Sequence, residues 1–84
     1  MYEIVFDRQA ENSFKKLDRN TQIKISKKIN QLKKNPYLGK RLSGNLHGFR
    51  SLRFDKYRII YTIIEGKLLI VVADIAHRKG SYKL

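Results

Sequence analysis

Apolar residues are spaced differently in successive parts of the chain, and the spacing divides it into elements. Tyr2 to Phe6 form a short strand-like run, and Asp7 is placed to cap a helix that begins at Arg8. Ala10, Phe14 and Leu17 then recur at steps of four and three, which draws one apolar stripe along that helix. The turn Asp18-Arg19-Asn20 breaks it, and Asn20 is placed to cap a second helix whose stripe is Ile25, Ile29 and Leu32. Asn35-Pro36 ends the second helix, because the residue before a proline avoids the helical region.

The segment PYLGKRLSGNLHG, residues 36 to 48, is rich in turn residues and reads as a loop with one short edge strand. Three strands follow, roughly Phe49 to Phe54, Tyr57 to Ile64 and Lys67 to Ala76. The order is β-α-α-β-β-β, an α+β fold in which an αα-hairpin packs on one face of a mainly antiparallel sheet. No repeat, linker or low-complexity segment is present, so residues 1 to 84 are expected to be one domain.

Strand arithmetic then selects side chains. With Asp55-Lys56 as a two-residue turn, Phe54 faces Tyr57 and Arg53 lies opposite Arg58 on one side of the sheet. Like charges set opposite each other do not stabilise a fold, so either an anion sits between them or Asp74 or Glu65 balances them. In Glu65-Gly66 the glycine fits a type I′ turn, which pairs Ile64 with Lys67 and sets Ala73 opposite Arg58. The same alternation puts Ile75 and His77 on the Arg58 side. Gly80 ends the strand near His77, leaving Arg78 and then Tyr82 able to turn over that face. Arg53, Arg58, Arg78, Tyr82 and His77 thus form a candidate cationic concavity with an aromatic ring at its rim, suited to single-stranded RNA. Taken alone, Tyr82 is equally an ordinary aromatic packing on the sheet.

Charge strengthens the polyanion reading. Nineteen Lys and Arg against seven Asp and Glu give a formal net charge of +12, which an acidic partner or a nucleic acid would offset. Lys24, Lys27, Lys28, Lys33 and Lys34 make a positive face on the second helix, either simply solvated or attractive to phosphates. Hydrophobic residues make up 42% of the chain, enough to build an ordered core. The absence of cysteine removes disulfide, zinc-thiolate and thiol chemistry and fits a cytoplasmic protein. The start MYEIVFDRQ does not read as a signal peptide. Glu65-Gly66-Lys67 interrupts the apolar stretch from Ile59 to Ile75, leaving halves far short of the roughly 20 residues a membrane span needs, so no membrane association is expected.

Other chemistries lack residues. His47 and His77 have no metal-ligand spacing, no phosphate-binding glycine motif occurs, and no carboxylate pair is spaced for acid and base work. Neither a metal nor a small-molecule cofactor is expected. An enzyme built from these residues would act on RNA using the neighbouring 2′-hydroxyl as nucleophile.

The segment GFRSLRFDKYRIIYTI with IAHRKGSYKL resembles the RelE/ParE superfamily of toxins from type II toxin-antitoxin systems, most closely the RelE-type messenger-RNA endoribonucleases. The resemblance implies that Arg58 binds the phosphate, Arg78 is the catalytic arginine, and Tyr82 stacks on or orients the cleaved nucleotide. Arg53 holds a basic position on the preceding strand, and Lys40, Arg41, Arg50 and Lys79 would extend the RNA-binding surface. Where well-known members carry lysines further along that strand on the same face, this chain has Phe49 and Ser51, with Arg50 pointing the other way. The general base therefore falls to Lys40, Arg41 or His77, or to a ribosomal group. The implied reaction is metal-independent cleavage of messenger RNA in the ribosomal A site, leaving a 2′,3′-cyclic phosphate and a 5′-hydroxyl. The implied partners are the ribosome, its message and a cognate RelB-like antitoxin. The alternatives are a ParE-like DNA gyrase inhibitor and an RNA-binding protein without catalysis.

Overall fold

The computed structural model describes residues 1–77. In chain order the elements are β1 (Glu3–Phe6), α1 (Arg8–Lys15), α2 (Arg19–Lys34), β2 (Lys40–Arg41), β3 (Arg50–Phe54), β4 (Tyr57–Ile64) and β5 (Leu69–His77). The strands form one sheet in the order β1-β5-β4-β3-β2, with β1 parallel to β5 and the other neighbours antiparallel. This is the expected α+β architecture of two helices on a mainly antiparallel sheet.

Asp7 caps α1 as its chemistry dictates, its Oδ1 accepting the Ala10 backbone N–H at 3.0 Å. The second helix starts earlier than expected. Asp18, not Asn20, is its N-cap residue, in extended backbone at φ −68° and ψ 161°, and Arg19 is already helical. Asp18 is as good a capping residue as Asn20 and comes first in the chain. At the other end Asn35, just before Pro36, is non-helical with φ −142°, as the proline requires.

The apolar stripes meet the sheet where they should. Ala10 of α1 and Ile25, Ile29 and Leu32 of α2 are buried with Leu52, Ile59, Tyr61, Ile70, Val72 and Ile75 from the strands. Phe6 and Phe14 close one side edge-on, with ring centroids 5.6 Å apart. Each fully buried aliphatic side chain contributes about 1.5–3 kcal/mol relative to exposure. Among the described residues, no helix is long and apolar enough to cross a membrane.

Two departures in the β4–β5 hairpin change its register, and the second moves side chains between faces. The turn is not the expected two-residue one: Glu65–Lys67 forms a 3₁₀ turn, and Ile64 pairs with Leu69 instead of Lys67. Leu68, at φ 51°, takes the left-handed conformation that had been expected of Gly66. A bulge then follows, because Tyr61 pairs with Val72 while Ile60 pairs with Asp74. Arg58 consequently lies opposite Ala76, not Ala73.

Candidate functional site

The β3–β4 hairpin forms as its sequence requires. Asp55 adopts φ 55°, which an aspartate tolerates in a tight turn, and the register sets Phe54 opposite Tyr57 and Arg53 opposite Arg58. Directly opposed residues in an antiparallel pair have Cβ atoms about 4.5–5.5 Å apart, so the two arginines share one local field. Lys40 of β2 pairs with Ser51 of β3. Ser51 and Arg53 are two residues apart on one strand and share a face. Lys40, Ser51, Arg53 and Arg58 therefore line one cleft of about 550 Å³, walled by Leu38, Leu42 and Leu52.

Ser51 is only 8% exposed, and its Oγ has no hydrogen-bond partner among the described residues. A buried hydroxyl left without a partner costs free energy, about 1–3 kcal/mol, and native structures rarely tolerate one without a use. Here it faces into a cleft walled by three cations. The sequence singled out this position only because it lacks a lysine, and nothing in the sequence signalled that its hydroxyl would be buried.

A hydrogen-bonded knot fixes the cleft wall. Tyr61, fully buried on β4, donates from its hydroxyl to the Pro36 carbonyl at 2.6 Å and accepts the Gly39 N–H at 2.8 Å. Burial pushes its phenol pKa up. A Cβ on residue 39 would sit 2.6 Å from that hydroxyl oxygen, so the chain needs glycine where it crosses the tyrosine. Arg50 donates through Nη1 to the Gly39 carbonyl at 2.8 Å, and its guanidinium lies 5.1 Å from the centre of the Tyr37 ring. Together these contacts hold residues 36–39 in place and set Lys40 beside Ser51. Arg50, an expected RNA contact, thus holds the loop and lies opposite Tyr61, on the helix face of the sheet.

Other expected site residues land elsewhere. Ile75 and His77 do not share the Arg58 side: Ile75 pairs with Ile59 in the helix-side core, and His77 pairs with Tyr57, their rings edge-on at 5.6 Å. The bulge, which shifts every residue after it by one place, is the cause. The acids weighed as balancing charges are also occupied. Asp74 lies opposite Ile60, and its Oδ1 accepts from Ser13 Oγ at 3.0 Å and from the Ile75 N–H. Glu65 accepts the Tyr37 hydroxyl at 2.7 Å. Arg41 is exposed on β2 opposite Arg50. Arg78, Lys79 and Tyr82 lie outside the described residues.

A face carrying Lys40, Arg53 and Arg58 around a buried hydroxyl can bind a phosphodiester: guanidinium forks and an ammonium supply charge, and the hydroxyl supplies a donor or acceptor. Among the described residues no three acidic or histidine side chains gather as they would around a metal ion.

The family described as the ParE toxin of the type II toxin-antitoxin system parDE matches residues 4–82. A putative RelE-like toxin protein of Escherichia coli is 28% identical over 85 residues, covering 95% of this chain and 86% of that protein. The toxin RelE of Mycobacterium tuberculosis is 39% identical over 51 residues, covering 60% of this chain and 53% of that protein. Among solved structures, the toxin-antitoxin complex RelBE2 of Mycobacterium tuberculosis contains a chain that matches with a TM-score of 0.84 and 26% identity, over 92% of this chain and 98% of that one. The isolated Escherichia coli RelE toxin has the same fold, with a TM-score of 0.81 at 20% identity, over 96% of this chain and 88% of that one.

Proposed function

The chain belongs to the ParE toxin family of type II toxin-antitoxin systems, and on that premise we propose that it is a RelE-type endoribonuclease that cuts messenger RNA in the ribosomal A site. The observation that carries the reading is the cleft in which Arg53 and Arg58 stand opposite each other with Lys40 and the Ser51 hydroxyl beside them. Two cations facing each other across strands serve binding of an anion better than they serve stability.

The reaction needs no metal, because the nucleophile belongs to the substrate. The 2′-hydroxyl attacks the adjacent phosphorus, the bond to the 5′ oxygen of the next nucleotide breaks, and the products are a 2′,3′-cyclic phosphate and a 5′-hydroxyl. Arg53 and Arg58 hold the phosphate oxygens and stabilise the negative charge that grows as the phosphorane forms. Arg78 and Tyr82 are assigned by resemblance to join from the C-terminal side, the first as a further cation and the second as a stacking surface. Arginine is a poor proton acceptor. Of the candidate bases, Lys40 lines the same cleft as the arginines, whereas His77 pairs with Tyr57 on the other side. In its neutral amine form Lys40 is thus the protein group best placed to take the 2′-hydroxyl proton and to pass it to the leaving 5′ oxygen, and the ribosome positions the message. A RelB-like antitoxin in the cytoplasm would neutralise the toxin, and the net charge of +12 suits an acidic partner.

The matched family carries the name of ParE, which supports a second reading as a DNA gyrase inhibitor. Induction in a host cell separates the two: arrest with messages cut within codons on ribosomes supports the ribonuclease, whereas an SOS response with uncut messages supports gyrase.

A further inference from the structure

We infer that a second cleft, on the opposite face of β2 and β3, is a polynucleotide subsite that holds the RNA flanking the scissile phosphate after it turns around the β2 edge. The inference rests on the RNA-cleaving reading and deepens it.

This cleft has a volume of about 310 Å³. Its cationic wall is a second cross-strand arginine pair, Arg41 of β2 opposite Arg50 of β3. Arg50 and Arg53 are three residues apart on one strand, so the two arginine pairs lie on opposite faces of the sheet. Strand β2 has only two residues, Lys40 and Arg41, and successive side chains on a strand point to opposite faces. Lys40 lines the first cleft and Arg41 the second. Leu42 borders both, so a single short segment divides them. A chain with a phosphate at every unit that leaves Arg53 across β2 meets Lys40, then Arg41, then Arg50.

The second cleft also carries what unpaired bases use. Tyr37, Phe49 and His47 line it, and their rings offer stacking surfaces that accept any base. Among the described residues Glu65 is the one acid in its wall, and one of its oxygens accepts the Tyr37 hydroxyl. Arg50 is partly committed to Gly39 and Tyr37, which fixes its guanidinium in advance of any ligand, while Arg41 is exposed and supplies the reaching arm. A basic edge strand also discourages edge-to-edge pairing between copies. That role needs the charges of Lys40 and Arg41 but neither the facing Arg50 nor the aromatic lining.

The test is fluorescence anisotropy with single-stranded RNAs of increasing length, each made uncleavable by one 2′-deoxy nucleotide. The wild type should gain at least fivefold in affinity once the RNA is long enough to pass around β2. Arg41→Ala should lose that gain, so that lengthening the RNA no longer raises its affinity, and its slope of log affinity against log salt for the long RNA should fall by about 0.7, one phosphate contact. Arg41→Lys, which keeps the charge, should keep the slope. Equal length dependence in wild type and Arg41→Ala overturns the inference and leaves the first cleft standing. Failure of the wild type to bind RNA at any length overturns both. Loss confined to antitoxin binding, with unchanged RNA curves, assigns the cleft to the antitoxin and overturns it too.

Discussion

Replacing Tyr61 with phenylalanine removes one oxygen from the core and, on this structure, two hydrogen bonds that hold the cleft wall. The Pro36 carbonyl and the Gly39 N–H both bond to that oxygen, at 2.6 and 2.8 Å, and both residues are buried. Water cannot replace the lost partner unless the loop moves. Each buried backbone group left unsatisfied costs about 1–3 kcal/mol, so Tyr61→Phe should lose about 2–4 kcal/mol once some relaxation of residues 36–39 is allowed. For a domain of this size that is a fall in Tm of roughly 8–32 °C, at about 4–8 °C per kcal/mol. Urea unfolding followed by circular dichroism measures the loss, and RNA binding above the new midpoint is not informative, so affinity should be compared at low temperature. There, affinity should also fall, because the knot places Lys40. Gly39→Ala provides the companion measurement: its Cβ would lie 2.6 Å from Tyr61 Oη and 2.7 Å from Cε1, an overpacking that costs about 1–3 kcal/mol. The double variant should cost less than the sum of the two, since both break the same bonds. A Tyr61→Phe protein within 0.5 kcal/mol of wild type would refute the reasoning.

Other consequences follow from the same contacts. Arg53→Thr removes one of two opposed cations, so its stability should rise by about 0.2–1 kcal/mol while its RNA affinity falls; a loss of stability would show that the pair serves the fold. Ser51→Ala deletes the hydroxyl that has no partner among the described residues, so unfolding free energy should hold or rise while RNA affinity drops, and an unchanged affinity would remove Ser51 from the site. Leu32→Ala, at a fully buried position on α2, should cost about 2–5 kcal/mol in urea unfolding, and a cost under 1 kcal/mol would contradict the packing described. Tyr37 is pushed up to about 12, first by its hydrogen bond to Glu65 and next by that to Tyr2. A raised phenol pKa means the contact is whole below the ordinary value near 10 and is lost as pH rises through about 12. In ultraviolet titration Glu65→Gln should therefore move one phenol to lower pH, and an unmoved curve would show that the carboxylate is not the cause.

Much of the fold was readable because local chemistry agreed with packing. Asp7 has only one helix to cap, Pro36 cannot continue another, and Ile25, Ile29 and Leu32 sit one turn apart on the face that meets the sheet. The Asp55-Lys56 turn set the register of β3 against β4, and with it the Arg53–Arg58 pair. The β4–β5 hairpin was less legible for two physical reasons. Gly66 marks a turn but not which residue will carry positive φ, and Leu68 carries it. The bulge has no local signature: it keeps Ile70, Val72 and Ile75 all in the core despite their uneven spacing, a demand set by the helices above. One added residue then sent His77 to the Tyr57 side. Arg50 shows the opposite limit, since its charge could be read from the sequence but not its bonds to a loop eleven residues away.

Primer extension of a defined message on programmed ribosomes is the most direct test of the central claim, that opposed guanidinium groups in the β3–β4 cleft grip the phosphodiester being cut. Wild-type protein should produce breaks within the A-site codon that carry a 2′,3′-cyclic phosphate. Arg58→Ala, folded by circular dichroism, should cut on the order of 100-fold more slowly or worse, the scale of losing one donor to a developing oxyanion. Cleavage by folded Arg58→Ala at the wild-type rate, or intact messages with the wild type at saturating concentration, would contradict it.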